Sequence, residues 1–167
     1  MSTPSSLVVS NTTPLIALDA CNQLDLLRSL YGRVIIPEEV DRELSRGGNT
    51  GLTTGLTAAH RAWIEVRPLS NPPSASLLAK LDAGEAEVIT LALETGASLV
   101  LIDEKIGLKV AREQGLRALG SVGILLLAKK KGLLQEVKPH LREMHSKGIS
   151  LSNRFIEWAI IQSGEVP

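Results

Sequence analysis

The chain has 167 residues, 44% of them hydrophobic and 22% charged, a balance that suits one folded core and excludes wholesale disorder, collagen and coiled coil. Basic and acidic side chains number 18 each, so net charge alone points to no polyanionic partner. Only four aromatic residues (Tyr31, Trp63, Phe155 and Trp158) are present, which argues against a base-stacking platform.

Periodicity and punctuation give the elements in chain order. Leu7-Val8-Val9 reads as a short strand, followed by a helix from Pro14, a residue suited to the first helical position. Leu24, Leu26, Leu27 and Leu30 outline a second helix. Val34-Ile35-Ile36 is a second strand, after which Pro37 opens a helix closed by Gly47-Gly48. Residues 47–57 carry four glycines and read as a mobile loop, as well suited to solvated disorder as to closing over a substrate. Trp63 to Val66 reads as an edge strand, and Ala83 to Thr95 as a helix stopped by Gly96. Ser98 to Ile102 is an apolar, buried strand; a helix then runs to Gln114 and Gly115. Leu116 to Leu119 forms a further short strand, and Val122 to Lys131, Val137 to Ser146 and Asn153 to Gln162 form the remaining helices. Strands alternating with helices imply right-handed crossovers, hence an α/β fold with a central parallel sheet and helices on both faces. One domain over residues 1–150 is expected, with 151–167 a helical extension packed on it.

The longest unbroken apolar run, Ile124 to Ala128, is far below the ~20 residues of a membrane helix. The first basic residue is Arg28, so no positively charged leader is expected. The single cysteine, Cys21, fits a reducing compartment, and a cytoplasmic location is expected. Charge is unevenly spread: residues 1–104 hold 7 basic and 13 acidic side chains, residues 105–147 hold 10 basic and 3 acidic. Such asymmetry suits a polyanion contact; equally, Lys129, Lys130 and Lys131 suit the end of a helix, where cations are favoured.

In open parallel sheets, ligands bind beyond the carboxyl ends of the strands. Asp103 directly follows the strand through Ile102, and Asn11 follows Val8-Val9-Ser10 in the same way. Each has a plain alternative, a helix cap for Asp103 and a turn for Asn11. Glu43 borders the apolar stripe of its helix, turned inward or paired with Arg46. Glu85 shares the face of Val88, Ile89 and Ala92, and also fits a capping box with Asp82, whereas Glu87 points about 200° away, toward solvent. Carboxylates gathered at a sheet edge repel one another unless protons or a divalent cation neutralise them. Hard oxygen donors without His or Cys suit Mg²⁺ or Mn²⁺. His140 and His145, five residues apart, do not share a helix face, and no phosphate-binding glycine motif is present.

These residues resemble a known family. Val8-Val9-Ser10-Asn11-Thr12-Thr13-Pro14-Leu15-Ile16, then Val34 to Val40 with Glu43, looks like the opening of a PIN domain. Leu81-Asp82-Ala83-Gly84-Glu85-Ala86-Glu87, and Leu101-Ile102-Asp103-Glu104-Lys105, resemble the third and fourth motifs of a subfamily related to the toxin VapC. The resemblance implies a PIN-like three-layer fold and a metal-dependent ribonuclease using Mg²⁺ or Mn²⁺. Its acidic positions fall on Glu43, Glu85 and Asp103, and the first falls on Asn11, where PIN nucleases usually carry Asp. With Asn11 as a neutral auxiliary ligand, the expected activity is endoribonuclease cleavage of RNA. Phosphates would be held by Lys105, Lys109, Lys129, Lys130 and Lys131. A toxin role with an antitoxin partner, and a homodimer, are further expectations. The competing expectation is a catalytically degenerate module that binds RNA or a protein, favoured by Asn11.

Overall fold

The computed structural model describes residues 7–47 and 51–167. Five short strands carry the sheet: β1 (Val8–Ser10), β2 (Val34–Ile36), β3 (Ile64–Val66), β4 (Leu99–Leu101) and β5 (Ala118–Leu119). All pairings are parallel and the order is β3-β2-β1-β4-β5. Strands β1, β2 and β4 are buried along their whole length, as continuous β-branched and leucine runs require of a sheet covered on both faces.

The chain moves outward from β1 in one direction through β2 and β3, then returns to place β4 and β5 on the other side. Because crossovers keep one hand, this reversal sends helices to both faces. Helices α1 (Thr12–Ala20) and α2 (Asp25–Tyr31) pack with α8 (Ser121–Lys130), and α1 also meets α9 (Lys138–Ser146). Helix α6 (Ala83–Thr95) packs on β1 and β4, with α3 (Glu38–Arg46) and α5 (Ala75–Lys80) beside it. Helix α4 (Ala58–Arg61) lies on β3, α7 (Lys105–Glu113) on β5, and α10 (Asn153–Gln162) covers α8 and α9. Among the described residues, no helix is long and apolar enough to cross a membrane.

The structure departs from expectation in three places. Helix α1 starts at Thr12 rather than Pro14. Pro14 is tolerated inside the first turn because an amide there has no intrahelical partner to lose. The short helices α4 and α5, of four and six residues, escape periodicity analysis, being too short to show a stripe; Thr57 and Ser74 cap them. The glycine-rich segment is also anchored rather than free. Residues 48–50 of it lie outside the described residues, but Gly51–Thr54 forms a 3-10 turn against α1 and α3. There Leu52 is 1% exposed and its amide donates to Asp19 Oδ2 at 2.9 Å.

A buried leucine truncated to alanine costs about 2–5 kcal/mol, whereas a leucine on a free loop costs about 0.5 kcal/mol or less. Leu52→Ala should therefore lower the urea midpoint by an amount in the first range; a midpoint indistinguishable from wild type would show the segment to be unanchored.

Candidate active site

The strand order reverses between β1 and β4, so the crevice beyond their carboxyl ends is where such a sheet offers a ligand site. Ser10 is in register with Leu101, and the Asn11 amide donates to Leu101 O at 2.9 Å, which fixes Asn11 beside the end of β4. Asp103 lies two residues past that end. Helices α3 and α6 pack on each other and bring Glu43 and Glu85 to the same edge.

Each side chain is held by a specific local arrangement. Thr12, in the first turn of α1, donates its hydroxyl to Glu43 Oε2. The expected alternative partner, Arg46, is engaged elsewhere, with Glu39 at 2.9 Å. For Glu85 the capping box is real: the Asp82 amide donates to Glu85 Oε1 at 3.2 Å, and the Glu85 amide to Asp82 Oδ1 at 2.8 Å. The cap and the inward position coexist, since Glu85 is only 7% exposed. Asp103 does not cap α7. Its Oδ1 accepts the Ser121 amide at 2.6 Å and the Ser121 hydroxyl at 3.1 Å, at the start of α8. Glu87, expected in solvent, is half-buried and accepts the Glu39 amide at 3.1 Å.

Three glycines leave the room these carboxylates occupy. A β-carbon at Gly84 would stand 2.6 Å from Glu43 Oε1 and 3.3 Å from Asn11 Oδ1, so these two oxygens face one point. At Gly107 it would stand 2.7 Å from Glu85 Oε2, and at Gly120 2.6 Å from Asp103 Oδ1. Gly84 and Gly107 sit inside first turns, where glycine is unfavourable by about 0.5–1 kcal/mol relative to alanine. Neither they, nor Thr12 and Ser121, were legible as site residues. An unexplained glycine just inside a helix start was the available signal.

Burial sets the electrostatics. It pushes the Glu85 carboxyl up to about 6 from an ordinary 4.5, and raises Asp103 despite the two bonds from Ser121. Burial likewise raises Glu43, against the lowering bond from Thr12. Two buried acceptors, Asn11 Oδ1 and Asp103 Oδ2, have no hydrogen-bond partner among the described residues. Desolvated carboxyls beside orphaned acceptor oxygens form a donor set that a hard divalent cation would satisfy. The carboxylates are spread along the edge, however: no three His, Cys, Asp or Glu side chains among the described residues stand together as a ready-made metal group.

The lysines divide. Lys105 and Lys109 lie exposed on α7, which begins at this edge. Lys129 to Lys131 sit at the opposite end of α8 from Ser121, about 13 Å along the helix. Lys129 is moreover held by Glu165 at 2.9 Å.

The chain itself belongs to the PIN domain family: a family model described as a PIN domain matches residues 7–165, nearly its full length. Members of that family are commonly nucleases and typically use divalent metals. No curated protein and no solved structure matches the chain.

Two outcomes follow from the geometry. Gly84→Ala should displace Glu43 and weaken Mn²⁺ binding in calorimetry while retaining the native circular dichroism; unaltered binding would show that the gap at Gly84 does not matter. The raised Glu85 carboxyl favours the neutral form in the folded state, so its contribution to metal-free stability is present below about 4.5 and is lost as pH rises through about 6. The melting temperature of wild type relative to Glu85→Gln should therefore fall across that window, and a constant difference would refute the assignment.

Proposed function

We propose that the chain is a metal-dependent endoribonuclease whose centre is the edge formed by Asn11, Glu43, Glu85 and Asp103. The observation that carries this reading is the pairing of strand-end residues on adjacent parallel strands, Asn11 after β1 and Asp103 after β4, each with a buried oxygen that lacks a donor among the described residues. Family membership supports the reaction class.

These four residues would hold Mg²⁺ or Mn²⁺. When bound, such an ion supplies positive charge that polarises a phosphodiester and makes water a stronger acid. The protein's own part is orientation. Thr12 keeps Glu43 turned toward Gly84, Ser121 fixes Asp103, and Asp82 fixes Glu85 through the capping box. Asn11 offers an amide oxygen and no charge, so the set has one negative charge fewer than an all-acidic one and binds a cation less tightly. Lys105 and Lys109 receive phosphates beside the edge through charge and counterion release. Kinship with VapC-type toxins, with an antitoxin and a homodimer as partners, belongs to the same proposal and rests on the motif resemblance.

Two observations favour a second reading, a degenerate module that binds RNA or a protein without cleaving: the neutral Asn11 and the spread of the carboxylates.

Purified protein incubated with Mn²⁺ and labelled single-stranded RNA distinguishes the two. The proposal predicts cleavage that chelation abolishes and that Asp103→Asn, at equal folded fraction, reduces to the metal-free background. Equal rates for variant and wild type would remove Asp103 from the centre. Inert wild type with activity gained in Asn11→Asp would establish the degenerate module instead.

A further inference from the structure

A concavity of about 1250 Å³ lies away from the acidic edge, beside the amino-terminal ends of β4 and β5, where Ser98 and Leu99 line it. Its wall carries Tyr31, Arg112, Arg117, Lys130, Lys131 and Trp158. Arg112 also lines a smaller hollow on the outer face of α7, together with Lys105, Leu108 and Lys109. Lys105, Lys109 and Arg112 are spaced four and three residues apart, so they share one helix face. Arg112 thus lines both hollows. Together they form a basic course that starts just past Asp103 and Glu104, descends about 10 Å along α7, and enters the larger groove.

Two observations indicate what the course binds. Among the described residues, Lys105, Lys109, Arg117, Lys130 and Lys131 make no ion pair, unlike Lys129 with Glu165. Among the described residues, Glu113 is the acidic one lining the smaller hollow, and no carboxylate lines the larger. In addition, three of the chain's four aromatic side chains gather at this end. Tyr31 and Trp158 line the groove, and Phe155 stacks on Trp158 with ring centroids 5.5 Å apart and an interplanar angle of 12°. With Phe155 covering one ring face, Trp158 still lines the groove and is 49% exposed, large for an indole. An acidic peptide would answer the cations but not the open aromatic face; a single nucleic-acid strand answers both, with phosphates on the cations and a base on the ring.

The geometry points to a single-stranded nucleic-acid track: phosphates run along Lys105, Lys109 and Arg112 into the groove of Arg117, Lys130 and Lys131, and a base stacks on Trp158. The track rests on the nuclease reading only for where its other end lies. The few aromatics in the composition understate this surface, because folding concentrates them.

Binding of fluorescent oligouridine to the full chain in EDTA, where no cleavage occurs, tests the track by anisotropy. Trp158→Ala should weaken binding about tenfold, while Trp158→Phe retains it. The double variant Lys130→Glu with Lys131→Glu should also weaken binding and make the salt slope shallower by about 1.4, the value for two phosphate contacts on a single strand. All three positions are exposed, and matching circular dichroism melts confirm folding. Weaker binding of oligodeoxythymidine assigns the track to RNA, and equal binding assigns it to single strands of either sugar. Unchanged oligouridine affinity in both Trp158→Ala and the double variant overturns the track, as does tighter binding of polyglutamate than of oligouridine. A protein that binds as described but never cleaves loses the nuclease reading alone; one that cleaves with these variants binding normally loses the track alone.

Discussion

Glu43, Glu85 and Asp103 each place a carboxylate oxygen within 2.7 Å of where a glycine's β-carbon would stand, and the candidate site depends on that close approach. Gly84, Gly107 and Gly120 open these gaps at the starts of α6, α7 and α8, helices that converge on the carboxyl edge of the sheet. A side chain at any of the three would force the carboxylate beside it to shift. Held inside, the carboxylates are desolvated and pushed toward their neutral forms. At the same edge Asn11 Oδ1 and Asp103 Oδ2 have no hydrogen-bond partner among the described residues. Burial of these carboxyls therefore carries a local desolvation cost.

The rest of the molecule keeps that edge in place. Val9, Val34, Ile35, Ile36, Val100 and Leu101 are fully buried, so β1, β2 and β4 cannot shift register without exposing core. Beyond α10, Glu165 clasps the fold. Burial would raise its carboxyl, but bonds from the Val137 amide, Lys129 and the Lys138 amide outweigh this and bring it down to about 2. The clasp ties the segment after α10 to the start of α9 and withdraws Lys129 from the basic surface.

Most of the architecture was legible in the sequence because its signals are local. The Asp82–Glu85 box and Gly96 mark the ends of α6, and apolar runs mark β2 and β4. The placing of Asn11 and Asp103 followed from strand-end logic plus the parallel sheet. What could not be read was long-range. Thr12 turning Glu43, Ser121 fixing Asp103 and Leu52 anchoring the glycine-rich segment all join residues 18 or more positions apart, or depend on a turn with no periodicity. Clustering of Tyr31, Phe155 and Trp158 is a property of the folded surface and is invisible in a composition.

Capture of a divalent ion by this glycine-lined edge can be seen by anomalous diffraction from crystals soaked in Mn²⁺. A peak is expected within coordinating distance of Asn11 Oδ1 or Asp103 Oδ2, with Glu43 or Glu85 completing the shell directly or through water. Density confined to other carboxylates, or well-ordered side chains at the edge without any peak at saturating Mn²⁺, would contradict it.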